Sequence, residues 1–319
     1  LAAFDLSGAG VHANLTLGYA EVGFNTDNPE PRDYLFNMEN LFGTDFGDIL
    51  VGDEGKNEIW GADGDDNISG AEGDDYLSGG GGDDGLVGGP GDDVVRGGLG
   101  DDTFYSGQGD DTISGESGLD TVSYAGVQER VMILLDDGYA YDTGGWGTGD
   151  QFFDTLSSIE NAIGTSYGDD VYGTNGSNVL EGRGGKDELF GLGGSDTIDG
   201  GNGDDTIYGQ GSNDTIDGGS GEDRISGGAR NDLLTGGSDA DTFVFGNGSD
   251  QDHITDFSLE DKIDLRYHDT ADKWSDVEDV LDYSTFSGND MVIHLDGDTI
   301  TLRDFAPLAD DLTDANFIL

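Results

Sequence analysis

Apolar residues recur along this chain with a period of nine. From Gly43 the sequence divides without a gap into GTDFGDILV, GDEGKNEIW, GADGDDNIS, GAEGDDYLS, GGGGDDGLV, GGPGDDVVR, GGLGDDTFY, SGQGDDTIS and GESGLDTVS, ending at Ser123, and a second run of nine units spans Gly164 to Val244. The eighth position is apolar in every unit, from Leu50, Ile59 and Ile68 to Phe243, and the sixth is Asp except at Asn57 and Asn178. Six residues rich in Gly and Asp predict a turn, and the next three a short strand whose middle side chain points inward. Two units then close one coil, and stacked coils place unit n over unit n+2.

A longer repeat lies over the shorter one. VHANLT and DYLFNMENLFGT precede the first array, VMILLD and DTLSSIENAIGT precede the second, and the two sets align at an offset of about 121 residues. This predicts a spacer over 1–42, a first roll over 43–123, a related spacer over 124–163, a second roll over 164–244 and a C-terminal capping region over 245–319. Leu1 falls on the equivalent of Thr121, inside a unit, with no initiator Met or signal peptide. Further repeats or another domain are therefore expected upstream. In the last region, strands are expected at Phe243 to Phe245, Ile254 to Phe257, Ile263 to Leu265, Met291 to Leu295, Thr299 to Leu302 and Phe317 to Leu319. Ser275 and Glu278 stand at capping-box spacing and predict a short helix over Lys273 to Leu281.

Composition changes the picture by adding a large negative field. Sixty-nine Asp and Glu against twelve Lys and Arg give a formal charge of −57, with fifty-nine Gly and no Cys. Such a chain repels nucleic acid and anionic lipid and attracts multivalent cations. Disulfides and Cys-ligated metals are excluded, and no apolar run reaches membrane-spanning length.

The unit Gly-Gly-x-Gly-x-Asp-x-apolar-x, in eighteen copies, resembles the RTX (hemolysin-type) calcium-binding nonapeptide repeat. The resemblance implies an all-β fold, a right-handed parallel β-roll in which two tandem arrays hold multiple Ca²⁺ ions. It also implies a secreted protein that crosses a type I secretion channel unfolded and folds outside the cell. TFVF, DHITDF, DKIDL and the terminal NFIL are similar to the C-terminal region of serralysin-type proteases and other type I secretion substrates. Asn316 stands where that family carries an acidic residue, and an ordinary final strand is the other reading of NFIL.

Stacking places Asp66, Asp84, Asp102 and Asp120 along one edge and Asp75, Asp93 and Asp111 along the other. Carboxylates about 5 Å apart repel by roughly 0.8 kcal/mol in water and about 3 kcal/mol at an effective dielectric of 20, so an ion between coils is needed. Ca²⁺ suits carboxylates and turn carbonyls better than the smaller, stricter Mg²⁺. The candidate carboxylate ligands are Asp48, Asp66, Asp75, Asp84, Asp93, Asp102, Asp111 and Asp120 in the first array. In the second they are Asp169, Asp187, Asp196, Asp205, Asp214, Asp223, Asp232 and Asp241. The resemblance further implies that positions one to four supply carbonyls. In the full-glycine units these are Gly79, Gly80, Gly81, Gly82, Gly88, Gly89, Gly91, Gly97, Gly98, Gly100, Gly200, Gly201, Gly203, Gly218, Gly219 and Gly221. Phe46, Tyr167, Ser212, Arg230 and Asp239 interrupt position four and put their sites in question, with Arg230 a candidate internal cation. The neighbours Asp65, Asp74, Asp83, Asp92, Asp101, Asp110 and Asp204 are expected to face solvent. Asp252, Asp256 and Asp261 are candidates for one further ion on the same resemblance, a solvating role at a strand edge being the other reading.

Catalytic signals are missing. His12, His253, His268 and His294 are scattered outside any HExxH pattern, and neither a G-x-S-x-G elbow nor a phosphate loop occurs, so the chain is not read as an enzyme. Tyr172, Phe190 and Tyr208 recur at the ninth position and should stack on one outer face. The alternative is a platform for an extracellular polysaccharide, as in the calcium-roll modules beside alginate epimerases, or a segment of an adhesin.

Overall fold

A residue that is apolar every nine positions can be buried only if each strand is short and the chain turns sharply after it. The computed structural model does this throughout, and describes residues 2–3, 9–22, 33–143, 152–269 and 274–319. It is all-β apart from a helix over Val277–Asp282 and short 3₁₀ turns. The coils stack as a parallel β-solenoid, with consecutive units on alternating sheets. By contact the chain divides into two compact units, Leu1–Ile163 and Gly164–Leu319.

In the first unit Leu41, Ile59, Leu77, Val95, Ile113 and Leu156 lie in register on one sheet. Ala13, Leu50, Ile68, Leu86, Phe104, Val122 and Ala162 do so on the other. In the second unit the columns run Val171, Leu189, Ile207, Ile225, Phe243, Ile263 and Phe317, and Leu180, Ile198, Ile216, Leu234, Ile254 and Leu302. All these side chains are buried. Through the arrays the core is two columns of single side chains, so each coil there depends on its edges as well as its interior.

Spacer strands join the same columns. Both spacers carry an antiparallel hairpin, Val11–Asn14 with Tyr19–Val22 and Val131–Leu134 with Tyr139–Asp142, and each turns on a left-handed glycine, Gly18 and Gly138. Phe153–Ser157 and Asn161–Ile163 then lie in parallel on the last two strands of the first array.

The C-terminal region departs from expectation in three places. Its second strand is Gln251–Ile254 rather than Ile254 to Phe257. Leu234 pairs with Ile254, twenty positions on, and the two extra residues carry Phe257 out of the sheet to pack on Phe243 and Phe305. The helix is capped by Asp276, whose carboxylate accepts the Glu278 and Asp279 N–H groups at 3.1 and 3.3 Å. Ser275 instead donates to Asp279, so it is not the cap; Lys273, where the helix was expected to begin, lies outside the described residues. Ser284–Ser287 forms a hairpin with Asp290–His294 that its polar sequence did not announce. Phe317–Ile318 pairs with Ile263 and Asp264, and the Asn316 amide donates to the Leu259 and Asp261 carbonyls, both at 3.0 Å. An acidic residue at 316 has no proton to give two carbonyls, which accounts for Asn there.

Candidate metal centres

Each position-six Asp ends a turn, just before its strand, and is 3% exposed or less. Its Oδ1 accepts the backbone N–H of the Asp one coil earlier. Asp48 donates to Asp66 (2.7 Å), Asp66 to Asp84 (2.8 Å), Asp84 to Asp102 (2.9 Å) and Asp102 to Asp120 (2.9 Å). The opposite edge runs Asn57, Asp75, Asp93, Asp111. In the second unit one edge runs from Asp169 through Asp187, Asp205 and Asp223 to Asp241, the other from Asn178 through Asp196 and Asp214 to Asp232.

In eleven of these residues Oδ2 has no protein partner. It is buried and unbonded in Asp66, Asp75, Asp84, Asp93, Asp102 and Asp120, and again in Asp196, Asp205, Asp214, Asp223 and Asp232. A Cβ built on the first glycine of the same turn would collide with it, as at Gly79 against Asp84 and Gly97 against Asp102. The second oxygen therefore sits over its own turn, where only glycine leaves room. In the turns that begin at Gly61 through Gly97 positions two and four are left-handed, as at Gly80 (φ 121°) and Gly82 (φ 131°). Ser212, Arg230 and Asp239 keep that backbone at φ 82°, 90° and 81°, so a side chain at position four does not by itself abolish the turn. Arg230 is exposed and supplies no internal charge.

A buried carboxylate with one bare oxygen is costly when ionised. Burial pushes Asp66 up to about 8, Asp93 and Asp102 to about 7, and Asp84 and Asp120 to about 6, with nearby carboxylates adding to the shift. The contrast is Asp264, equally buried but met by Arg266 at 2.8 Å and Arg224 at 3.3 Å. Burial raises it too, yet the hydrogen bonds and charge of Arg266 hold it below the usual carboxylate range. In the ladder the only comparable charges are Lys56 near Asp75 and Lys186 near Asp205, among the described residues, and both carboxylates are still raised by burial. Among the described residues no three His, Asp or Glu side chains converge, so an ion in the ladder must draw most of its oxygens from turn carbonyls. Single carboxylates over glycine turns, each with a bare buried oxygen, are a donor set that fits Ca²⁺.

The RTX calcium-binding nonapeptide repeat matches at residues 42–77, 51–86, 60–95, 87–122, 163–198, 190–225 and 217–252, more than half of the chain. The chain belongs to this family. No curated protein matches it. Among solved structures it is similar to the extracellular lipase LipA from Serratia marcescens, at 19% identity over 86% of this chain and 40% of that one, with a TM-score of 0.31. It is also similar to a hyperactive, Ca²⁺-dependent, β-helical antifreeze protein from an Antarctic bacterium, at 18% identity over 72% of this chain and 76% of that one, with a TM-score of 0.25. The chain thus spans well under two thirds of the lipase.

Four residues beyond the repeats extend the RTX ladders. Asp154 accepts from Asp111 and Glu160 from Asp120, each at 3.0 Å, while Asp252 accepts from Asp232 and Asp261 from Asp241, each at 2.9 Å. Asp154 also takes the Tyr124 hydroxyl at 2.8 Å and Ser106 at 3.0 Å, and Asp261 takes the Ser258 N–H at 2.7 Å. Both are closed by protein donors. Asp252 keeps a bare Oδ2, and Asp256 binds the Gly236 and Gly237 N–H groups instead. Asp154 and Glu160 escaped sequence reasoning because their spacing from the arrays is irregular.

The outer neighbours face solvent as expected, and each accepts an N–H from the next coil, as Asp65 does from Asp83 and Asp83 from Asp101. Tyr172, Phe190 and Tyr208 stack face to face, with centroids 4.5 and 5.0 Å apart. Their faces are spent on one another, as in a self-stabilising ladder.

The raised carboxylates imply opposite pH responses with and without calcium. Without the ion, protonation favours the fold. Their contribution is fully present below the unfolded value near 4 and is lost as pH rises through about 6 to 8. In chelator the chain should therefore be more compact at pH 5 than at pH 8. Calcium needs the ionised form, so its affinity should fall from pH 8 to pH 6. X-ray scattering in chelator and calcium titrations at the two pH values check this; a radius and an affinity indifferent to pH would contradict it.

Proposed function

We propose that the chain is the calcium-gated folding module of a secreted protein. Its edges repel one another while it crosses a type I secretion channel, and it folds when it meets millimolar calcium outside the cell. One observation carries the reading: a buried Asp oxygen without a protein partner recurs coil after coil on both edges of both rolls. Asp66 to Asp120, Asp75 and Asp93 would hold ions in the first roll, and Asp187, with Asp196 to Asp232, in the second, with carbonyls of position-one to position-four residues completing each shell. Bound Ca²⁺ supplies divalent charge that takes six to eight oxygens in a flexible shell. The protein supplies the rest. Left-handed glycines orient the turns, the Asp N–H to Oδ1 bonds fix the coil spacing, and the apolar columns exclude water. On this reading 245–319 caps the second roll and belongs to the exported form, no residue has a catalytic role, and the stacked aromatics stabilise one face.

Native mass spectrometry with single variants tests the site assignment. Asp102 lies between Asp84 and Asp120, so Asp102→Ala should remove one to two Ca²⁺ from the bound count, whereas Asp101→Ala, on the exposed neighbour, should remove none. Equal losses would place the ligands on the wrong carboxylate.

A further inference from the structure

The turns are of two kinds, and the difference lies in the backbone at position two. In the turns beginning at Gly61, Gly70, Gly79, Gly88 and Gly97 both position two and position four are left-handed, as at Ala62, Ala71 and Gly80. In the turns beginning at Gly43, Gly52, Gly164 and Gly173 neither is: Thr44, Asp53, Thr165 and Thr174 are absent from the left-handed set, as are Phe46, Gly55, Tyr167 and Gly176. Reversing φ turns the peptide over. In these four turns the position-two N–H faces the position-six side chain and donates to it: Thr44 to Asp48 and Thr165 to Asp169 at 2.6 Å, Asp53 to Asn57 and Thr174 to Asn178 at 2.7 Å. Thr44 and Thr165 add their hydroxyls to Oδ1 of the same Asp at 3.1 Å.

A fifth turn follows the same rule. Gly107 is not left-handed, although Gly109 at position four is; the Gly107 N–H is one of the backbone groups that lower Asp111 against its burial, and Asp111 is missing from the buried carboxylates with a bare Oδ2. An N–H aimed at a carboxylate occupies the oxygen that a cation would take, and presents positive charge where the ion would sit. Two of the four capped turns carry Asn at position six, an amide that answers an N–H as well as Asp does but brings no charge for an ion.

We propose that the position-two peptide decides whether a turn holds calcium, and that the turns at Asp48, Asn57, Asp111, Asp169 and Asn178 are closed by protein donors and bind no ion. Both rolls then begin with one complete coil that needs no calcium, and the calcium ladder starts at the third unit of each array. This rests on the calcium reading above and gives the reason why Asp48, Asp111 and Asp169, candidates by spacing, stand outside its ligand set.

The test is a calcium-saturated crystal structure with anomalous scattering from the bound ions, together with ion counts by native mass spectrometry. The wild-type chain should show ions beside Asp66, Asp84 and Asp196 and none within the five closed turns. Asp48→Asn and Asp169→Asn should leave the ion count unchanged, while Asp66→Asn and Asp196→Asn should each lower it by at least one. Replacing Thr44 and Phe46 together by Gly, which allows the left-handed turn, should add one ion. An ion ligated by Asp48 or Asp169 in the wild-type crystal would overturn the proposal even if the variants do not fold. A wild-type chain that binds no calcium at all would instead overturn the reading beneath it.

Discussion

In excess chelator at neutral pH the chain should be expanded and poor in β structure, with a radius of gyration of about 60 Å, as for an unfolded chain of this length. Calcium should reduce that radius at least twofold in a cooperative step, at free concentrations on the order of 10⁻⁴–10⁻³ M. Three facts drive the expectation. The formal charge is −57, the core of the two arrays is two single-file columns of side chains, and eleven edge carboxylates between Asp66 and Asp232 bury a second oxygen with no protein partner. Chain entropy of roughly 1–2 kcal/mol per residue opposes folding throughout. Every ion joins one coil to the next, so binding and stacking reinforce one another. Magnesium at equal concentration should leave the chain expanded, because it demands a tighter octahedral shell than glycine carbonyls on a rigid coil spacing provide. Circular dichroism and small-angle scattering through a calcium titration are the measurements. A compact, β-rich chain in chelator would refute the gate and leave a scaffold that merely carries calcium.

The second large effect is expected from one methyl group. Gly203→Ala puts a Cβ on a residue at φ 133°, directly against the Gly185 carbonyl of the coil before. That neighbour is backbone in the middle of the stack and has nowhere to move. The substitution should cost on the order of 3 kcal/mol, combining strain at a glycine-only backbone with a broken coil contact. It should also raise the calcium concentration needed for folding. Gly126→Ala, where nothing lies within 4 Å, should change the midpoint by no more than about 0.5 kcal/mol. Calcium-induced folding curves for the two variants make the comparison; equal midpoints would mean that the coils are not stacked at this separation.

Much of this was legible because a coil of two units is a local rule. A nine-residue period with one apolar position is enough to specify two columns, and the pairing of Leu77 with Val95 or Ile207 with Ile225 follows from counting. Both Asp edges follow by the same count. Arithmetic failed where the period did. Leu234 reaches its partner after twenty residues rather than eighteen, which displaced the strand at Ile254. Asp154 and Glu160 join their ladders at separations of 43 and 40 residues, where the period would give eighteen. Ser275 matched a capping pattern that Asp276, one residue later, satisfies in space.

The sequence by itself determined the all-β repeat, its two arrays, the inward Asp and the demand for a divalent cation, because each depends on spacing within a unit or between adjacent units. Only the tertiary structure decided which carboxylates keep a bare oxygen. Asp48 and Asp66 are both the sixth residue of a unit, with Gly at its first position. They differ in whether the peptide two residues into the turn offers its N–H, an orientation that the nine-residue spacing leaves open and the folded backbone decides.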